Sequence, residues 1–304
     1  DVLTSRGLGD VYKRQAVGLF ALAYNTTSSN NTAVGRSSLE LNTTGDQNTA
    51  VGKGALTANT TAANNTAMGF EALDANTTGG ANTAVGSGAL GANTTASDNT
   101  AVGAGALQSN TTGIYNTAVG RMALFDTTTS SSNTAVGYKA LYATGSTGYD
   151  NTAIGREALR DNSSGYRNVA IGMYAMKIAT GADLNCVIGY NAGVAMTSST
   201  ESVIIGYSAG SAATTPGHNV YVGYSAGGSA TTGGNNVMIG SMAGDHDTNT
   251  VGGYQNTYVG SRCNGNGASN NDECVFGYNI TGKGSQTFNV GGTSGAYNLS
   301  LIHI

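Results

Sequence analysis

Few residues of the chain have side chains suited to chemistry. His218 and His246 are the only histidines before the last two residues, and His246 stands between Asp245 and Asp247. An Asp-His-Asp run can bind a metal ion, but this one lacks the ligand spacing of a recognisable metal site. We therefore expect a solvated loop there, and a turn at His218, which follows the single proline, Pro216. No residue is assigned as catalytic, cofactor-binding or metal-binding.

The three cysteines also have a simple interpretation. An odd number cannot form a closed disulfide framework. Cys186 and Cys274 stand where small apolar residues recur, which predicts thiols packed in the interior. Cys263 stands where alanine recurs, and a disulfide between Cys263 and Cys274 is an alternative.

Glycine and tyrosine offer two further candidate sites. None of the 47 glycines is followed by the Lys-Ser or Lys-Thr pair of a nucleotide-binding loop. Exposed aromatic rings can hold sugars, so Tyr190, Tyr207 and Tyr224, which stand at the same position of successive repeats, are candidates for weak surface contacts. A tyrosine ladder that only stabilises the structure is the interpretation we favour. The Asn-X-Thr sequons, among them those at Asn25 and Asn42, are interpreted as turn residues.

These residues all belong to a short repeat that must position them. Sixteen units follow the template N-T-A-V-G-x-x-A-L-x-x-N-T-T-G-x-x, and the glycine ending each "TAVG" recurs every 17 residues. Two steps are longer, the one from Gly137 to Gly155 and the one from Gly240 to Gly260. A fixed short period over a whole chain is the signature of a solenoid.

Within each unit, the residue before the glycine is apolar, as in Val34 and Ile188, and threonine, valine or cysteine stands two residues earlier. Residues two apart share one face of a strand, so we predict that this pair faces inward and the intervening alanine faces outward. The "AL" that follows predicts a second inward-facing segment. Seventeen residues rich in Gly, Thr and Asn are too few for a helix pair.

Stacking of identical units predicts ladders of identical residues. Asparagine amides can form hydrogen bonds along such a stack, and the predicted structural ladder comprises Asn31, Asn48, Asn65, Asn82, Asn99, Asn116 and Asn133. The predicted fold class is all-β, a repetitive parallel β-solenoid or β-roll of about sixteen 17-residue coils. Identical ladders leave no place for a unique catalytic constellation, so we do not expect an enzyme.

Composition narrows the partners. Net charge is −4 and only 10% of residues are charged, whereas a nucleic-acid surface needs clustered Lys and Arg. No apolar run is long enough to span a bilayer. Each coil buries few large side chains, so we expect several chains to associate through the apolar residues at the outward alanine position, namely Val187, Ile204, Tyr221, Met238 and Tyr258.

The ends differ from the repeats. DVYKRQ (10–15) and LSLIHI (299–304) can be encoded by one DNA string read in opposite directions, which resembles the transposon end of sequencing libraries. We therefore expect residues 1–15 and 299–304 to be translated adapter. Between them we predict β-solenoid with "AL" coils at 16–180, β-solenoid with "AG" coils at 181–280, and a transition to a missing C-terminal domain at 281–298.

The motif "NVAIG" at Asn168–Gly172, with "NTAIG" and "NTAVG" elsewhere, resembles the head repeats of trimeric autotransporter adhesins and the shaft repeats of bacteriophage tail fibres. The resemblance implies a homotrimeric β-roll. It also implies a structural fibre segment on a virion tail or a bacterial surface. Such a segment is a rigid spacer that holds a receptor-binding tip, which lies outside this sequence, away from the particle or cell. The coil of this chain is a few residues longer than the adhesin unit.

One other class of function remains in view. A flat array of Thr and Asn ladders suits a protein that binds a repetitive surface such as ice or crystalline polysaccharide. The inward position predicted for the strand threonines argues against it. The Thr pairs after Asn42, Asn59 and Asn76 leave it open.

Overall fold

The chain, seen in a computed structural model, is an all-β parallel β-solenoid of about sixteen coils, one for each sequence repeat. Residues 14–143, 148–245, 252–267, 269–292 and 295–299 are described, the last range for its backbone only. The predicted fold class is confirmed. The coils form two compact units, Asp1–Tyr149 and Asp150–Ile304. None of the described residues form a helix with the length and hydropathy needed to cross a bilayer.

In the first unit, each coil supplies one short strand that pairs in parallel and in register with the strand of the next coil, as Thr83 does with Thr100. Strand β1 includes Arg14 and Gln15 of the predicted adapter segment, because an extended backbone can pair whatever its side chains are. The strands are β1 (Arg14–Val17), β2 (Asn31–Val34), β3 (Thr49–Val51), β4 (Thr66–Met68), β5 (Thr83–Val85), β6 (Thr100–Val102), β7 (Thr117–Val119) and β8 (Thr134–Val136).

The second unit continues the same arrangement until its last strands. Strand β17 follows β16 after a shorter connection than the earlier coils have, so that Cys274 pairs with Phe288, and β18 then turns back antiparallel to β17. The strands are β9 (Thr152–Ile154), β10 (Val169–Ile171), β11 (Cys186–Ile188), β12 (Val203–Ile205), β13 (Val220–Val222), β14 (Val237–Ile239), β15 (Thr257–Val259), β16 (Cys274–Gly277), β17 (Phe288–Gly292) and β18 (Gly295–Leu299).

The predicted orientation of the strands is wrong. In strands β2–β10 the central alanine is fully buried, as at Ala50 and Ala84, whereas the residues on either side of it are partly or largely exposed, Val34 to 38%. The inward face is Asn-x-Ala-x-Gly, and the outward face carries the threonine and the valine. Val187, Ile204, Tyr221, Met238 and Tyr258, predicted to form an outer apolar surface, are therefore core residues.

The "Ala-Leu" segment does face inward, as predicted. Ala55 and Leu56 are both fully buried although they are neighbours. This is achieved because Leu56 has a left-handed backbone (φ 52°), which breaks the strand alternation. The segment lies close to the strand, and the strand residue six positions before the leucine must be small. Ala50 precedes Leu56 by this distance, and Ala84 precedes Leu90.

In the "AG" coils the residue at the strand centre is large, and glycine stands at the position that leucine has in the first coils. A Cβ atom built on Gly227 would lie 2.7 Å from Cδ2 of Tyr221, and one on Gly244 would meet the Met238 side chain. The large strand residue thus fills the space that leucine occupies in the first coils. The loss of leucine therefore leaves no gap in these coils, because the interior is refilled from the strand.

Candidate functional site

The asparagine ladder lies inside the coils and holds neighbouring coils together. Along the predicted row from Asn31 to Asn133, each Oδ1 accepts a hydrogen bond from the backbone N–H of the next asparagine, at 2.8 Å between Asn48 and Asn31 and 3.0 Å between Asn99 and Asn82. The Nδ2 donates to a carbonyl of the turn in the following coil, as Asn82 does to Ala96 at 2.8 Å. Because these asparagines are buried, they present nothing to a ligand.

A second asparagine row is joined by amide-to-amide hydrogen bonds from coil to coil. Asn59 Nδ2 donates to Asn42 Oδ1 at 2.8 Å, and Asn76 to Asn59 at 3.1 Å. Asn42 is fully buried, so the sequon there is a turn element of the folded chain.

The tyrosines at 190, 207 and 224 form a stacked column on the outside of the second unit. Their ring centroids are 5.1 and 5.4 Å apart, and the ring planes differ by 16° and 9°. Tyr207 thus has a neighbouring ring on each face, and Tyr190 and Tyr224 each have one face covered by it. Since sugars stack on ring faces, this geometry favours the ladder interpretation, and the sugar contact stays a prediction.

The strand face is a regular outer surface of each unit. It carries two columns of side chains, which in β2–β8 are all threonine in the first column and valine or methionine in the second. In β10–β14 the first column is Val169, Cys186, Val203, Val220 and Val237, and the second is Ile171, Ile188, Ile205, Val222 and Ile239. We call these ten side chains of β10–β14 the apolar strand face, and none of them is charged. Val203 is 36% and Ile239 is 39% exposed.

This orientation corrects two further predictions. Cys186 and Cys274 are half-buried on the outward face, not packed in the interior. The strand threonines also face outward, so the argument that they are hidden from a repetitive surface fails. Both predictions rested on the assumption that the apolar residue before the glycine faces inward.

The buried cysteine is Cys263, as its alanine position predicts. Its Sγ lies 3.0 Å from the carbonyl oxygen of Gly277, and burial raises the pKa of the thiol. All three cysteines are free thiols, so the alternative of a bond between Cys263 and Cys274 is not realised.

The histidines do not build a site in the described part of the chain. His218 lies on the surface with its Nδ1 3.0 Å from Glu201 Oε2. His246 and Asp247 lie outside the described residues. Within the described ranges, no three His, Cys, Asp or Glu side chains are grouped so as to hold a metal ion.

Two buried carboxylates have structural partners. Burial raises the pKa of Glu157, but hydrogen bonds from Lys177 and Arg160, both at 3.0 Å, outweigh it and hold the pKa below its usual value. Glu273 replaces asparagine in the ladder and accepts hydrogen bonds from Tyr258 Oη at 3.2 Å and from Asn270 at 2.9 Å. Burial, with the charge of Glu273, raises the pKa of Tyr258 well above its usual value. The sequence analysis missed both carboxylates. Glu273 could have been found, because it is an acidic residue at a repeat position where the coils of β2–β15 have asparagine or serine.

An open, mostly polar depression of about 260 Å³ is lined by Met242, Asp245, Arg262, Asn264, Asn279 and Thr281. The candidate functional surfaces are therefore the regular outer columns. Comparisons of the chain with protein-family models, with curated proteins and with solved structures found no match in any of the three.

Proposed function

We propose that the chain is a structural fibre segment that assembles as a homotrimer and spaces a receptor-binding tip from a phage particle or a bacterial surface. The observation that carries this proposal is the apolar strand face of β10–β14. Ten side chains, all Val, Ile or Cys, form two straight columns on the outside of a unit whose interior is already filled. Continuous apolar surface of this kind typically marks a contact with another protein.

A second copy of the same chain is the partner that fits this face. The columns repeat at the spacing of parallel strands, about 4.8 Å, and a second copy of the chain repeats at the same interval along its whole length. Charged residues are absent from both columns from β2 to β16, so like charges do not oppose one another in such a contact. The resemblance of the "NVAIG" motif to trimeric adhesin heads supports three chains.

A fibre also agrees with the distribution of polar groups. The buried asparagines are bonded to neighbouring coils, and the buried carboxylate Glu157 is bonded to cationic side chains. These hydrogen bonds and ion pairs stiffen the stack. Length, stiffness and the joint attachment of three tips then supply the binding strength of the assembly.

The first test is the solution mass of the full chain by light scattering. We expect three times the chain mass of 30.3 kDa. Val203→Lys puts a charge into the apolar strand face and should yield monomers, while Val203→Thr, the residue that the first unit has at this position, should keep the trimer. Ser198→Lys, on another exposed surface, controls for charge.

A wild-type monomer would overturn the proposal. So would a trimer that is unchanged by Val203→Lys, since the chains would then be joined through another surface. The far-ultraviolet circular dichroism of each variant should match that of the wild type, because the Val203 side chain lies outside the coil.

A further inference from the structure

A second regular surface lies on the arm that follows the buried asparagine row. In the first unit, every coil from residue 26 to residue 129 carries two consecutive threonines here. We define the threonine arm as Thr26–Thr27, Thr43–Thr44, Thr60–Thr61, Thr77–Thr78, Thr94–Thr95, Thr111–Thr112 and Thr128–Thr129.

In the six pairs from Thr26–Thr27 to Thr111–Thr112, the first threonine has a structural role. Its hydroxyl donates to the carbonyl of the equivalent residue in the next coil, at 3.0 Å from Thr43 to Thr60 and at 3.0 Å from Thr77 to Thr94. The same contact recurs in the second unit, where Thr197 donates to Thr214 at 3.1 Å. These bonds explain why Thr or Ser stands at this position.

The second threonine has no such role. Thr44, Thr61 and Thr78 are exposed, and no hydrogen bond joins their hydroxyls to any described residue. The fold does not require threonine there either. Gly181 occupies this position in the second unit and keeps the backbone hydrogen bond to Thr197 at 3.1 Å.

The second position is nevertheless threonine in all seven coils, whereas another exposed position varies freely. The residue after the "TAVG" glycine is Leu19, Arg36, Lys53, Phe70, Ser87, Ala104 or Arg121 in the same seven coils. An exposed hydroxyl column that the fold does not need, but that every coil repeats, indicates a requirement imposed from outside the chain.

The arm is also rigid and has small neighbours. The backbone N–H of the second threonine donates to the next coil, at 3.2 Å from Thr44 to Thr60 and 3.3 Å from Thr78 to Thr94. In the central coils the residues two positions before and two positions after each threonine pair are small. They are Ala58, Ala75 and Ala92 on one side and Ala63, Gly80 and Ser97 on the other. A β-branched side chain on a fixed backbone loses little further freedom on binding.

We propose that the threonine arm binds the surface of ice. Each exposed hydroxyl can both donate and accept a hydrogen bond, and each methyl group offers a small apolar contact. The arm has no charged residue that would select an ionic lattice and no aromatic ring that would hold a sugar. Seven equivalent contacts at one interval fit a ligand that is itself periodic, and their effects combine.

The test uses the full chain and measures its partition into a growing ice front and its thermal hysteresis. Thr78→Lys/Thr95→Lys places two bulky charges on the arm in adjacent coils. Ser87→Lys/Ala104→Lys places the same charges, also in adjacent coils, at the exposed position where Lys53 is native. We expect the arm variant to lose ice partition and hysteresis and the control to keep both, with equal melting temperatures.

Three results would overturn the inference. They are a wild-type chain that is excluded from ice, an arm variant that partitions as well as the control, and binding to microcrystalline cellulose without binding to ice. The solution mass of both variants separates this inference from the fibre proposal, since neither pair of substitutions lies on the strand face. We expect both to have the wild-type mass.

Discussion

At the scale of the residue, the glycine that ends each "TAVG" is required by how closely the coils stack. Gly86 has φ 135°, and a Cβ atom there would lie 2.6 Å from the carbonyl carbon and oxygen of Gly103 in the next coil. Backbone atoms cannot move aside as a flexible side chain can. The same contact occurs at Gly35 and Gly103, so one glycine in each coil is a condition of the stack.

We therefore predict that Gly86→Ala lowers the free energy of unfolding by about 3–5 kcal/mol. Gly88→Ala is the matched control, because Gly88 is also left-handed (φ 64°) but a Cβ there would lie 3.8 Å from its nearest neighbour, Gln108. The control should lose only the cost of a left-handed alanine, about 1–2 kcal/mol. Denaturant unfolding measures both, and equal losses would contradict the account.

At the scale of the element, the strand and the segment opposite it share one space. The coils of β2–β14 pair alanine in the strand with leucine or methionine, as Ala84 with Leu90, or a larger strand residue with glycine, as Tyr221 with Gly227. Either pairing fills the interior, whereas two large residues collide and two small ones leave a cavity. The strand position and the segment position are therefore coupled.

This coupling predicts a rescue in a double-mutant cycle. Tyr221→Ala should destabilise the chain by about 3–5 kcal/mol through the cavity that it leaves. Gly227→Leu alone should destabilise it by about 1–3 kcal/mol or more through overpacking. The double variant rebuilds the Ala-Leu pairing of the first unit, so it should be more stable than the two single losses added together. Thermal unfolding of the four proteins measures the coupling, and simple additivity would contradict it.

At the scale of the whole molecule, the outward strand faces determine which partners the chain can contact. Cys186 lies on the apolar strand face, Cys274 lies on the same face of β16, and Cys263 is buried. Cys186 and Cys274 therefore report on association through this face without any substitution in it, and Cys263 is the buried reference thiol.

We predict that Cys186 resists alkylation in the assembled wild-type protein and reacts in the Val203→Lys monomer. Cys263 should resist alkylation in both while the protein is folded, because burial hides the thiol and raises its pKa. Mass spectrometry of alkylated peptides reads each cysteine separately. If Cys186 reacts equally fast in the two proteins, the apolar strand face is not the contact between chains.

The period, the number of coils, the fold class and the turn residues were determined by the sequence alone, because a short fixed repeat with one apolar phase permits little except a stack of β coils. The tertiary structure decided which side of each strand faces inward. The alternation of side chains along a strand defines two faces but does not show which of them is buried. From the sequence, either the Thr and Val face or the Ala face could have pointed to the interior. The narrow gap between the strand and the "Ala-Leu" segment resolves this choice, since beside Leu90 only a residue as small as Ala84 fits.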